Sequence, residues 1–141
     1  MAPTPSIKAM LICDQIIHEQ GTNKKSLIGI FQDIHLQKFP ARFPRIGVYI
    51  NLTDAHGTYV LDLKLVGTRD GKEIGRGTTP PVEIDSPLRT CEFALQIQNL
   101  MFPEPGVYEF QLHVNEDLLG TKSFRVKQIE AVTPPPSPGT R

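Results

Sequence analysis

Apolar side chains recur at every second residue through much of this chain, and that period admits strands and little else. Ile46, Val48, Ile50 and Leu52 would share one face, with Gly47, Asn51 and Thr53 on the other. Tyr59, Leu61, Leu63 and Leu65 repeat the pattern against Asp62 and Lys64. So do Cys91, Phe93, Leu95 and Ile97 against Glu92, Gln96 and Gln98, and Tyr108, Phe110, Leu112 and Val114 against Glu109, Gln111 and His113. Strict alternation over this length marks antiparallel strands with one face buried. No segment sustains the 3.6-residue apolar period of an amphipathic helix.

Two β-rich runs, Ala9 to Glu19 and Ser26 to Gln37, flank the turn chemistry of Gly21-Thr22-Asn23 and predict a first hairpin. Leu11, Ile12 and Cys13, like Leu27, Ile28, Ile30 and Phe31, are apolar on both faces, which calls for a central position or a cover on the second face. Ala55-His56-Gly57 and Asn115-Glu116-Asp117 read as turns. Asp70-Gly71 is a hairpin signal returning into a short strand near Glu73–Gly77. Pro80-Pro81 breaks pairing and implies an edge. Short strands with turns every 8–12 residues suit a β-sandwich or a small barrel.

The segment Glu104-Pro105-Gly106-Val107-Tyr108-Glu109-Phe110 favours the sandwich. It has the form of a tyrosine corner, a turn with Gly106, then Tyr108, then the core residue Phe110 two further on. A tyrosine at a strand start can also be ordinary sheet surface. The expected fold is an all-β, immunoglobulin-like antiparallel β-sandwich of seven to eight strands.

At 141 residues the chain is one domain's worth. Prolines at 3 and 5, and at 134, 135, 136 and 138, mark the ends. We read 1–7 as a flexible N-terminal tail, 8–130 as the sandwich, and 131–141 as a Pro-rich flexible tail, or a ligand for a proline-reading domain. Fifteen basic and fifteen acidic residues cancel, against the basic excess of a nucleic-acid binder. No apolar run approaches ~18 residues, so no membrane partner is expected. The first residues lack a basic start and apolar stretch, and two cysteines make no disulfide framework, so the expected location is cytoplasmic.

Chemistry-bearing groups are sparse. Asp14 and His18 would lie about 13 Å apart along a strand, and Asp33 and His35 about 6.6 Å, so only cross-strand pairing on the first hairpin could chelate an ion. No metal and no cofactor are called for. There is no Gly-x-Ser-x-Gly elbow, and the glycines of 67–77 fit neither phosphate-loop pattern and precede no helix. Cys13 lies in an apolar run, where a thiol is usually a small buried hydrophobe, and Cys91 heads an apolar face.

Charge is placed unevenly. Lys24, Lys25, Lys38, Arg42 and Arg45 fall in residues 20–45 with the acid Asp33, while 104–117 holds Glu104, Glu109, Glu116 and Asp117. Such poles could steer a partner or a second copy, or be scattered solubilising charges. In Phe39-Pro40-Ala41-Arg42-Phe43-Pro44-Arg45, proline holds each preceding Phe extended. Exposed, this is a rigid aromatic–cationic patch of the kind enriched at interfaces. Buried, Phe39 and Phe43 plug the end of the sandwich and leave the arginines at the surface.

Ile12-Cys13-Asp14, Ser26-Leu27-Ile28-Gly29-Ile30-Phe31, the pairs Phe39-Pro40 and Phe43-Pro44, Phe102-Pro103, Pro105 to Phe110, Leu119-Gly120 and Phe124-Arg125-Val126 stand here in order. Over roughly 8–128 the chain resembles a bacterial family of small, β-rich proteins of unknown function. The resemblance implies no activity, cofactor or catalytic residue. The residues favour a non-enzymatic interaction module, with an unknown protein or itself as partner, through sheet edges or through Phe39, Arg42, Phe43, Arg45, Lys24 and Lys25. The alternative is a binder of a small anion or carbohydrate on the Arg42 and Arg45 loops, though no Trp and only three Tyr supply a stacking platform. A third reading is an enzyme with a Cys/His or Asp/His site on the first hairpin.

Overall fold

The computed structural model describes residues 2–130 and contains eleven strands and no helix among them. The strands are β1 (Ser6–His18), β2 (Lys25–Ile30), β3 (Asp33–Leu36), β4 (Ala41–Thr53), β5 (Gly57–Tyr59), β6 (Leu61–Gly67), β7 (Glu73–Thr78), β8 (Val82–Ile84), β9 (Cys91–Phe102), β10 (Gly106–Val114) and β11 (Asp117–Gln128). The first sheet has the order β2-β1-β4-β9 and the second β3-β11-β10-β6-β7, while β5 and β8 form a separate pair. Pairing is antiparallel except between β3 and β11.

The all-β sandwich expected from the alternation is what the chain forms. The strand count is higher than seven to eight, because β3, β5 and β8 are only three or four residues long and carry too little pattern to read. The expected second run, Ser26 to Gln37, also divides. Phe31 and Gln32 carry the chain from the first sheet to the second, where Asp33 pairs with Arg125. β1 starts at Ser6, inside the segment expected as a tail, and the Pro3 carbonyl accepts a hydrogen bond from Tyr59 Oη at 2.7 Å. The Pro-rich segment 131–141 lies outside the described residues.

Between the sheets, Ile46, Val48, Ile50, Leu52, Leu61, Leu63, Leu65, Phe110 and Leu112 are all 0% exposed. Phe102 stands among three rings, those of Phe43, Tyr108 and Phe124, with centroids 6.1, 4.9 and 6.1 Å away. Two glycines let the layers close. A Cβ at Gly75 would lie 2.6 Å from Leu100 Cδ2, and one at Gly120 would lie 2.5 Å from Ile7 Cδ1.

Tyr108 makes the tyrosine corner. It is buried, and its Oη donates to the Glu104 carbonyl at 2.5 Å, with Gly106 at φ 152 forming the turn. Its phenol is pushed above its ordinary value by burial. Tyr108→Phe leaves the Glu104 carbonyl without this donor and is expected to cost about 1–2 kcal/mol in urea unfolding. An unchanged midpoint would show the corner to be dispensable.

Candidate functional site

The first hairpin does not continue as a flat extension of its sheet. Cys13 of β1 pairs with Gly47 of β4, and Glu92 of β9 pairs with Asn51, four residues from Gly47. Lys25 pairs with His18, five residues beyond Cys13 in the opposite direction. Extended, this register separates Lys25 from Glu92 by roughly 30 Å. Yet Lys25 Nζ lies 3.5 Å from the Glu92 carboxylate. The β1–β2 hairpin therefore doubles back as an arm across the outer face of the first sheet.

Local chemistry makes the bend. Cys13 and Ile16, three residues apart, both turn onto this face, and Cys13 Sγ donates to the carbonyls of Gln15 and Gly47 at 3.4 and 3.6 Å. Gly29 takes φ 70 beside the Asp14 side chain, a left-handed conformation that other residues rarely adopt. Gly47 is the seat. A Cβ on it would meet Ile16 Cγ1 at 3.1 Å and Cys13 Sγ at 3.2 Å. Beneath the arm, Cys13, Ile16 and Tyr49 form a second small core, 0%, 8% and 9% exposed, with Ala9, Leu11 and Leu27 against it. The cover that the two-faced apolar runs called for is thus partly the hairpin itself. Burial raises the Cys13 thiol above its ordinary value, the setting of a packing cysteine.

A polar clamp closes the arm. Tyr49 Oη donates to the Glu92 carboxylate, Lys25 pairs with it, and Asn51 Nδ2 donates to Tyr49 Oη at 3.4 Å. Lys25 is only 13% exposed. The Tyr49 hydrogen bond is the first cause holding Glu92 below the usual carboxylate range, with Lys25 and His18 adding to it. Burial first, then Glu92, pushes Tyr49 up. A lowered carboxyl contributes stability that is present above its unfolded value of about 4.3 and is lost as pH falls through its folded value. A raised phenol contributes stability present below about 10 and lost as pH rises beyond that. Amide protection across residues 16–28, relative to the intrinsic exchange rate at each pH, is expected to fall on acidification below the ordinary Glu range. Glu92→Gln should flatten that response, and an unaltered acid response in this variant would remove Glu92 from the clamp.

The arm turns a different chemistry to solvent. Ile17 is 43% exposed, Ile28 47% and Ile30 58%, and β2 is the terminal strand of its sheet. The other edges are guarded. β3 has four residues and carries Asp33 and His35. β7 is followed by Pro80-Pro81. Its Gly75 and Gly77 lie against Ile97 of β9, so these two edges close on each other. A cleft of about 300 Å³ runs beside the arm tip, lined by His18, Lys25, Arg89, Cys91 and Glu92 among others.

The residues singled out from sequence do not form one cluster. Lys24 is exposed at the arm tip and Lys25 is held in the clamp. Phe39, which precedes a cis peptide to Pro40, and Phe43 are partly buried and pack on the main core, while Arg42 and Arg45 are exposed. Arg42 pairs with Met101 and Arg45 with Gln98. Phe39, Arg42, Phe43 and Arg45 line none of the clefts found among the described residues, whereas Lys25 lines the one beside the arm tip. Tyr108 bonds to the Glu104 carbonyl across the Gly106 turn, and Phe110 lies in the main core. Asp33 and His35 pair with Arg125 and Lys127 of the second sheet, so the hairpin does not set them opposite Asp14 and His18. Sequence reading missed Ile17, Tyr49 and Glu92. The available signal was the uncharged run Ser26 to Phe31, apolar on both faces although it lies at an edge.

Fold and surface define a small immunoglobulin-like β-sandwich protein with an over-folded hairpin arm and one open apolar edge. Its sequence matches over residues 8–127, and the chain belongs to that family: a family of unknown function, DUF6941. No curated protein matches it. Among solved structures it is similar to the alkylpurine DNA glycosylase AlkC of Pseudomonas fluorescens bound to DNA containing an abasic-site analogue, at 14% identity and TM-score 0.49. That match covers 87% of this chain, which spans 30% of the glycosylase chain. It is also similar to an immunoglobulin-like protein from Pseudomonas aeruginosa, at 16% identity and TM-score 0.39, covering 89% of this chain and 98% of that one. No helix among the described residues is long and apolar enough to cross a membrane.

Proposed function

We propose that this protein is a non-enzymatic interaction module that engages a protein partner along the β2 edge and the isoleucines of the arm. The observation that carries the reading is the exposure of Ile17, Ile28 and Ile30 on an edge strand that has no second neighbour among the described residues. Unpaired strand edges invite another chain, and soluble proteins blunt them with charge, proline or cover. β2 has neither charge nor proline from Ser26 to Ile30. Strand addition takes affinity from main-chain hydrogen bonds and selectivity from side chains such as these.

Photocrosslinking in the native host tests it. Benzoylphenylalanine placed at Ile28 should give discrete covalent adducts, while the same residue placed at Gln98 on β9 should not. Equal adducts at both positions, or none at 28, end the reading.

A further inference from the structure

We infer that the occupant of the β2 edge is a second copy of this chain, its β2 running antiparallel to the first about a twofold axis at Ile28. The inference rests on the reading of β2 as an interaction edge and adds to it the identity of the partner.

The strand is self-complementary from end to end. Lys24 stands exposed at its start, next to the clamped Lys25. At its far end stand Asp14, exposed beside Gly29, and Asp33, exposed just past Ile30 and 3.5 Å from Lys127 of β11. Between them Ser26 to Ile30 carries no charge. An antiparallel twofold lays each basic start against the acidic end of the other copy. With Ile28 opposite Ile28, Ser26 faces Ile30 and Lys24 faces Gln32 beside Asp33. No like charges are opposed, which is the arrangement that costs stability in paired strands.

The isoleucines supply the rest. A C2 interface is isologous, so each apolar group is used twice. Ile28 would meet its own copy at the axis, with Ile17 and Ile30 of each copy to either side. The two arms would join as one four-stranded ribbon, β1-β2 followed by β2-β1. A net charge of zero leaves no long-range repulsion between copies. A parallel pairing would oppose Lys24 and Lys25 to themselves and forgo the aspartates.

The test is the solution mass of the full chain by light scattering, at low and moderate salt, over a concentration series. A dimer that weakens with salt is expected. Ile28→Lys should weaken it by more than about tenfold with an unchanged circular dichroism spectrum, since Ile28 is exposed. Lys24→Glu should weaken it. In a Cys91→Ser background, Ile28→Cys should oxidise to a covalent dimer and Gln96→Cys should not. A monomer at every concentration overturns the inference, as does a dimer indifferent to Ile28→Lys. If the chain is monomeric and position 28 still crosslinks to another protein, only the identity of the partner falls. If it is monomeric and position 28 gives no adduct, the interaction reading falls with it.

Discussion

Phe102→Ala is expected to lower the unfolding free energy by about 3–5 kcal/mol, the cost of deleting a fully buried aromatic ring. Phe102 is 0% exposed and meets three rings edge-on, so its loss removes aromatic pairs as well as apolar contact. The surrounding rings come from β4, β10 and β11, which belong to both sheets and cannot collapse inward together. A whole domain is stable by only about 5–15 kcal/mol, so this one change takes a large share. The urea midpoint should fall with an unchanged slope. Phe102→Leu, which refills most of the space, should cost less than half as much. A loss below about 2 kcal/mol for the alanine variant would mean that the sandwich is centred elsewhere.

Ile16→Asp should produce a loss of similar gross size with a different outcome. The side chain lies over Gly47 between Cys13 and Tyr49, 8% exposed, in an apolar cluster. An unpaired buried charge costs several kcal/mol or forces the site open. The arm can open without the main core, because its small cluster is separate from the one between the sheets. We expect amide protection across residues 16–28 to fall by more than about 100-fold, while β6 and β10 keep theirs. Global unfolding in this variant, with both regions losing protection together, would show that the arm and the sandwich are one cooperative unit.

Much of the sandwich was legible because β4, β6 and β10 obey the period of two almost without fault. Ile46, Val48, Ile50 and Leu52 point inward as the alternation requires. The arm was not legible, for a physical reason. Cys13 and Ile16 share a face while lying three apart, which no regular strand allows, so the bend erases the signal that would reveal it. Gly47 and Gly29 mark the bend, but a glycine in a strand has several meanings until the neighbour it admits is known. Lys25 was noticed for its charge, whereas its partner Glu92 is 67 residues away and is brought near only by the fold. The Phe39–Arg45 segment drew attention by composition. Its two phenylalanines pack on the core, and the apolar groups left in solvent belong to Ile17, Ile28 and Ile30.

The parallel pairing of β3 with β11 has a consequence for how the molecule is made. Asp33 to Leu36 finds its partners at Arg125 to Gln128, about ninety residues later. During synthesis the β3 segment leaves the ribosome long before β11, its neighbour among the described residues, exists. Pairings so distant in sequence pay loop-closure entropy before any contact rewards them, and they slow folding. The second sheet can be completed only once β11 has left the ribosome. Until then Ile34 and the Phe31 that packs on Phe124 are open to the cell, a window in which chaperones and other copies of the chain compete for the same residues.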